Sequence, residues 1–433
     1  MAPMNSSLSL NNEAHSANDD AWKILAGVLV FGILIMLSIV LFLLWKLYKL
    51  SHPVPAKRTS SEANDQLPLL VNPNHASDPS VAPEVIKINE FQLEPGQVIE
   101  KTSHYTISAG KLRKPNSRTQ REQLRTLDVL VKRPSDPNDS TQKRMIEDEL
   151  NFLTQHLKER HPNILGFLGH SSEKLTLIFE YPEGGTLERF VRRFHRQNFD
   201  NYLNNGEYII ENIVLDSNLF SLSTFDLLSF AFQIANGMKF IALCQESGQY
   251  VHRLLTLQNL FITKNKTMKI GNFSLARPHG NSPYYKLMTP CLPIPITHRA
   301  PETFDTSDER RFTEQSDVWS YAVTLWELFS LGKVPYEGEK DVKKFVLDGG
   351  RLEKPEYCHQ DIYDFMLDCW NTDTFKRPVF NRCMEFFEAH MEKHGLPLKD
   401  QIDRKLQVAS DNQQNLESWT IKKDNNVIAE TDL

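Results

Sequence analysis

The pattern of apolar and polar positions divides the chain into unequal parts. Residues 24–45, ILAGVLVFGILIMLSIVLFLLW, carry no charge. At ~1.5 Å rise per residue that run is long enough to cross a ~30 Å hydrocarbon core, so it predicts one transmembrane helix. Lys46, Lys49, Lys57 and Arg58 follow it and Lys23 alone precedes it, which places residues 1–23 outside and the bulk of the chain in the cytoplasm. Trp22, Trp45 and Tyr48 stand where interfacial anchors belong. The acidic, Asn- and Ser-rich start lacks the marks of a cleaved signal, so an uncleaved anchor in the plasma membrane is expected. Pro53, Pro55, Pro68, Pro73, Pro79 and Pro83 punctuate residues 46–90, which read as a disordered juxtamembrane linker. Further on, Val129-Leu130-Val131-Lys132 is an apolar strand ending in a cation. Met145, Leu150, Phe152 and Leu153 mark the buried side of a helix. The segment from Leu175 reads as strand, hinge at Glu180–Pro182, then helix. Residues 195–222 are Asn-rich and irregular, and residues 393–433 read as a disordered tail.

Composition narrows the classes. A chain of 433 residues with 40% hydrophobic content is ordinary globular protein of two or three domains, and a net charge of −6 gives no reason to expect nucleic acid as a partner. The five cysteines lack metal-ligand spacing and fit thiols of a reducing compartment, so no metal site is expected from them. The outer segment is too short to bury a core.

Chemistry enters through ordered motifs. HRLLTLQN spans 252–259, MKIGNFSLAR follows from Met268, and Tyr284 and Tyr285 lie in the loop beyond. Next come Ala300-Pro301-Glu302, SDVWSYAVTLWELFSLGKVPY from Ser316, and CWNTDTFKRPVF from Cys369. This order and spacing resemble the protein kinases. The likeness is closest to the receptor tyrosine kinases of the fibroblast and platelet-derived growth factor receptor group, over residues 91–392, and residues 195–222 resemble the insert of split receptor kinases. It implies an α+β, bilobal fold, with a small β-rich N-lobe and a large helical C-lobe, behind the transmembrane helix.

Residue by residue, the resemblance places Lys132 where a lysine pairs with nucleotide phosphates and with a helix glutamate, for which Glu149 is the first candidate and Glu147 the second. Glu100, Thr102 and Tyr105 fall at the positions of the phosphate-covering glycines, so a carboxylate and a phenol stand where triphosphate should lie. Leu254 occupies the place of the aspartate that receives the substrate proton, and leucine can do no such thing. Asn272 replaces the metal-binding aspartate, leaving Asn259 as a second neutral ligand. Gln258 and His298 replace an arginine and a tryptophan of the substrate platform. Asp226 and Glu302 are the carboxylates that could be imagined as substitutes. The scaffold positions are kept: Glu302 and Arg377 match a buried ion pair, Asp317 and Trp319 the helix that anchors the catalytic loop, and His252, Phe273 and Leu153 the apolar column between lobes. Arg253 is retained beside the loop.

The expectation is therefore a membrane-anchored pseudokinase, a scaffold or allosteric partner of active kinases, with no resident cofactor and with ATP and magnesium binding opposed. The alternative is a weakly active transmembrane tyrosine kinase. Tyr202-Leu203-Asn204 has the form of an SH2-adaptor ligand once phosphorylated, Tyr284 and Tyr285 are candidate phosphotyrosines, and Thr431-Asp432-Leu433 has the form that PDZ domains accept.

Overall fold

The computed structural model describes residue 88 and residues 93–113, 126–157, 159–194, 199–210, 219–243, 250–278, 294–304 and 312–416. The chain divides into two units, residues 1–78 and 79–433, and every described residue belongs to the second. The expected membrane span, the outer segment, Tyr284, Tyr285 and the C-terminal tripeptide lie outside the described residues. Among those described, no helix is long and apolar enough to cross a membrane.

The N-lobe is a five-stranded sheet in the order β1-β2-β3-β5-β4, with β1 Leu93–Lys101, β2 Tyr105–Arg113, β3 Thr126–Pro134, β4 Phe167–Ser171 and β5 Thr176–Glu180. Its pairs are antiparallel throughout. Leu93, Leu112, Val129, Val131, Leu168 and Ile178 form one apolar face of the sheet, and Ile88 joins them. Ile88 lies within the stretch expected as disordered linker. Its side chain is buried and its N–H donates to the His170 carbonyl at 2.8 Å, so the folded unit starts before β1.

Helix α1, Ser140–Asn151, packs on the other face of the sheet. It starts where the Asp139 carboxylate accepts from the amides of Thr141 and Gln142. It ends in a π turn, Phe152–His156, closed by Leu157 N–H to the Phe152 carbonyl at 3.0 Å. Phe152 and Leu153 are both buried there.

The C-lobe is helical: α2 Leu187–Arg192, α3 Thr224–Leu243, α4 Glu314–Phe329, α5 Val342–Leu347, α6 Gln360–Cys369, α7 Phe380–Lys393 and α8 Lys399–Leu416. Helix α3 is apolar on nearly every side and buried accordingly, the mark of a core helix. A reciprocal capping box between Thr313 and Ser316 starts α4.

Two expectations need correction. The insert expected to be irregular contains a hairpin, Leu203–Asn204 with Glu207–Tyr208, and a parallel pairing of Phe199–Asp200 with Leu222–Ser223. The tail expected to be disordered contains α8. The polar composition of that helix hides an apolar stripe: Ile402, Ala409 and the stems of Lys405 and Gln413 are buried. The Gln413 amide donates to the Ile164 carbonyl at 2.9 Å, and Arg160 donates back to the Gln413 carbonyl at 3.1 Å.

Candidate functional site

The middle strand β3 delivers Lys132 into the space between the lobes, and α1 brings Glu149 to meet it. Lys132 Nζ donates to Glu149 Oε2 at 2.5 Å and to Asn272 Oδ1 at 2.8 Å. The ammonium also lies 4.3 Å from the centroid of the Tyr105 ring, within cation–π range. The other Glu149 oxygen accepts from the Phe273 amide at 2.9 Å. Glu147 is exposed, so of the two candidates it is Glu149 that reaches the lysine.

Asn272 occupies the left-handed region at φ 62°, a conformation asparagine tolerates better than most side chains. Its Nδ2 donates to Asn259 Oδ1 at 2.7 Å and to the Tyr105 hydroxyl at 3.2 Å, and its Oδ1 also accepts from Ser274 at 3.0 Å. Asn259 Nδ2 in turn donates to the Leu254 carbonyl at 2.8 Å and to Thr256 at 3.1 Å. The result is a closed network in which each amide oxygen faces an N–H or O–H donor. Burial, with Glu100 and Glu149 nearby, pushes the Tyr105 phenol above its usual range, so it is neutral at physiological pH. Burial likewise raises the Glu100 carboxyl, against the pull of Arg189. A cleft of about 430 Å³ opens alongside, lined by Glu100, Leu130, Tyr181, Arg189 and Phe261 among others.

Leu254 is buried in a small apolar cluster with Met145 of α1 and Leu275. Neither carboxylate considered as its substitute is free. Asp226 binds Lys266 Nζ at 2.7 Å and accepts from Ser223 at the start of α3. Glu302 forms a two-pronged pair with Arg377, at 2.7 and 2.8 Å.

The supporting framework is tightly built. Asp317, within α4, accepts from the backbone amides of His252 at 2.6 Å and Arg253 at 2.9 Å, which fixes the loop even though Arg253 takes the left-handed φ of 66°. Complete burial pushes the Asp317 carboxyl up to about 7, against those two donors, and pushes the His252 imidazole down to about 4. Phe273 lies between the rings of Phe152, stacked at 4.9 Å, and His252, edge-on at 5.2 Å. The guanidinium groups of Arg351 and Arg377 lie 4.7 and 5.0 Å from the Trp319 ring. His298 Nε2 donates to the Glu327 carboxylate at 2.9 Å. Tyr202 is half-buried and stacks on Phe225 at 4.8 Å, so it is not presented as an extended peptide ligand would be.

Sequence reasoning missed Ser274, which caps the amide network, and Phe152, which supplies the stacked ring of the column. A hydroxyl two residues beyond Asn272 was the available signal for the first. For the second, the apolar pattern did mark Phe152 as buried, and only its place in the column, given to Leu153, was missed.

A five-stranded small lobe, a helical large lobe and a buried lysine–glutamate pair between them define a protein kinase domain. A model of the protein tyrosine and serine/threonine kinase family matches residues 93–387, and the chain belongs to that family. Receptor-like tyrosine-protein kinase kin-15 of Caenorhabditis elegans is 34% identical over 404 residues, spanning 86% of this chain and 80% of that protein. Tyrosine-protein kinase receptor old-1 of the same nematode is 37% identical over 350 residues, 77% of this chain and 65% of the receptor. A fibroblast growth factor receptor of Halocynthia roretzi is 36% identical over 259 residues, but the match covers only 32% of that receptor. The chain thus carries a receptor-like tyrosine kinase domain.

Proposed function

We propose that this chain is a membrane-anchored, receptor-like tyrosine pseudokinase that acts as a signalling scaffold or as an allosteric partner of active kinases. The observation that carries this reading is the closed network in which Asn272, Asn259 and the Tyr105 hydroxyl satisfy one another and the Lys132 ammonium. Phosphoryl transfer relies on positioning and on neutralising phosphate charge with metal. Magnesium prefers carboxylate and water oxygens in octahedral array. The two amide oxygens at its expected place are neutral and already accept hydrogen bonds, so these residues do not suit the ion. The Tyr105 ring covers the lysine that would meet the phosphates. Leu254 offers no lone pair for the substrate proton, a help worth roughly 10²- to 10⁴-fold where it exists. Partners of the scaffold are then the membrane, active kinases or SH2 adaptors, and a PDZ domain at Thr431–Leu433.

A weakly active kinase remains the second reading, favoured by the intact Lys132–Glu149 pair at 2.5 Å. Thermal melting of residues 86–433 with ATP, with and without magnesium, separates the two. Ligand bound only by the folded chain at 100 times its Kd stabilises by about 2.7 kcal/mol. The pseudokinase reading expects no magnesium-dependent shift at millimolar ATP. A clear shift, with phosphate transfer that grows on Leu254→Asp plus Asn272→Asp, would overturn it.

A further inference from the structure

Apart from the cleft network, the C-lobe gathers four side chains of metal-ligating type. His359 and Asp361 stand at the start of α6, and His390 and His394 lie one helical turn apart at the end of α7. One ligand atom from each of the four comes within 4.8 Å of every other. Asp361 Oδ2 is 3.4 Å from His394 Nε2, 3.7 Å from His390 Nδ1 and 3.9 Å from His359 Nδ1. Around a tetrahedral zinc, with bonds of ~2.0–2.1 Å, neighbouring ligand atoms are roughly 3.3 Å apart. Closing the four on an ion takes about 0.1–0.6 Å at the Asp361 contacts and up to about 1.5 Å at the widest pair.

The second observation is an unpartnered nitrogen. His390 is 3% exposed, and its Nδ1 is buried with no hydrogen-bond partner, aimed at Asp361 from too far to bond. The other nitrogen, Nε2, bonds the Tyr208 hydroxyl at 2.8 Å, and that bond fixes the ring. With the proton on Nε2, the Nδ1 lone pair faces a carboxylate, an arrangement that calls for a cation between them. A ring nitrogen held by an outer partner while its neighbour points inward is how histidine ligands are oriented in metal sites. Tyr208, from the insert hairpin, also stacks on His359 at 5.2 Å.

Two contacts would change on binding. Lys393 Nζ lies 2.7 Å from Asp361 Oδ2, on a side chain 63% exposed and free to swing into water. His359 Nδ1 accepts the Asp361 amide at 3.1 Å as a helix cap, a bond that coordination through that atom would replace.

We propose that His359, Asp361, His390 and His394 form a zinc site that ties α6 to α7 and, through Tyr208, holds the insert hairpin against them. Three neutral imidazoles and one carboxylate suit zinc, which accepts nitrogen and oxygen donors in tetrahedral array. The site is independent of whether the cleft transfers phosphate.

The test uses the full chain in detergent, without a polyhistidine tag, stripped by chelator and titrated with zinc against a competing dye. One zinc per chain is expected, with a rise in melting temperature that EDTA reverses. His394→Ala and Asp361→Asn should each weaken binding beyond the roughly 10- to 100-fold that loss of an outer-shell partner costs, and Tyr208→Phe about 10-fold. Lys393→Ala, which removes the competing ammonium, should tighten binding about two- to fivefold. Absence of zinc from the folded wild-type chain overturns the proposal, as does wild-type affinity in a folded His394→Ala chain. Should the ligand variants fail to fold, cobalt titration of the wild type decides: the intense visible bands of four-coordinate cobalt support the site, and the pale spectrum of six-coordinate cobalt overturns it.

Discussion

The cleft and the floor of the large lobe are both made of buried polar groups, yet they differ in charge. On the floor, Arg377 meets Glu302 through two bonds, and Asp317 holds two loop amides with a carboxylate. In the cleft, positions 272 and 254 hold a neutral amide and a leucine. Phosphate and metal charge need charged, exchangeable partners, whereas a fold needs every buried group satisfied and nothing more. The fold itself needs only the second requirement. Even the cleft meets it, because Asn272 can donate and accept at once where an aspartate could only accept.

The contrast can be broken most forcefully from the floor. Arg377→Ala leaves Glu302 without its counter-ion and should cost about 3–5 kcal/mol, read as a fall in the urea midpoint with an unchanged slope. Ile402→Ala, in the buried stripe of α8, should cost about 2–4 kcal/mol; a loss under 0.5 would mean that α8 does not dock in solution.

Acid should act next, through groups on both sides of the comparison. His252 is held near 4 by burial, against about 6.5 when unfolded. Its contribution is therefore full above about pH 6.5 and lost as pH falls through 4, where the unfolded chain binds the extra proton. Asp317, raised to about 7, runs the other way: its contribution is full below the unfolded carboxylate range and lost as pH rises through 7. His252→Gln should flatten the drop in stability between pH 6.5 and 4. An unchanged slope would assign that drop to His161 and His390, which burial also depresses, to about 4 and about 3.

Tyr105→Gly sharpens the cleft side. It should uncover Lys132 and, on the pseudokinase reading, still give no magnesium-dependent ATP shift. The smallest effect belongs to the exposed Arg113–Glu94 pair. Its loss should change stability by no more than about 1 kcal/mol, measured by a double-mutant cycle.

What could be read from the chain follows from the range of each interaction. The strand ending at Lys132, the loop from His252 to Asn259 and the Glu302–Arg377 positions were legible because short motifs carry them. The Tyr105 obstruction was legible too, as a bulky residue at a glycine position. Helix α8 was not: only four of its side chains are buried, and their partners lie far away in sequence. Tyr202-Leu203-Asn204 matched the form of an SH2 ligand, and nothing local in sequence signalled the stack of Tyr202 on Phe225.

Sequence alone determined the family resemblance, and that Leu254 and Asn272 stand where the resemblance implies two carboxylates while the scaffold positions match, since each depends on residue identity at a fixed local spacing. Tertiary structure decided how the altered cleft satisfies itself and how four side chains from two helices converge beside Tyr208. Those arrangements join residues separated by long stretches of chain, and only packing brings such groups within bonding distance.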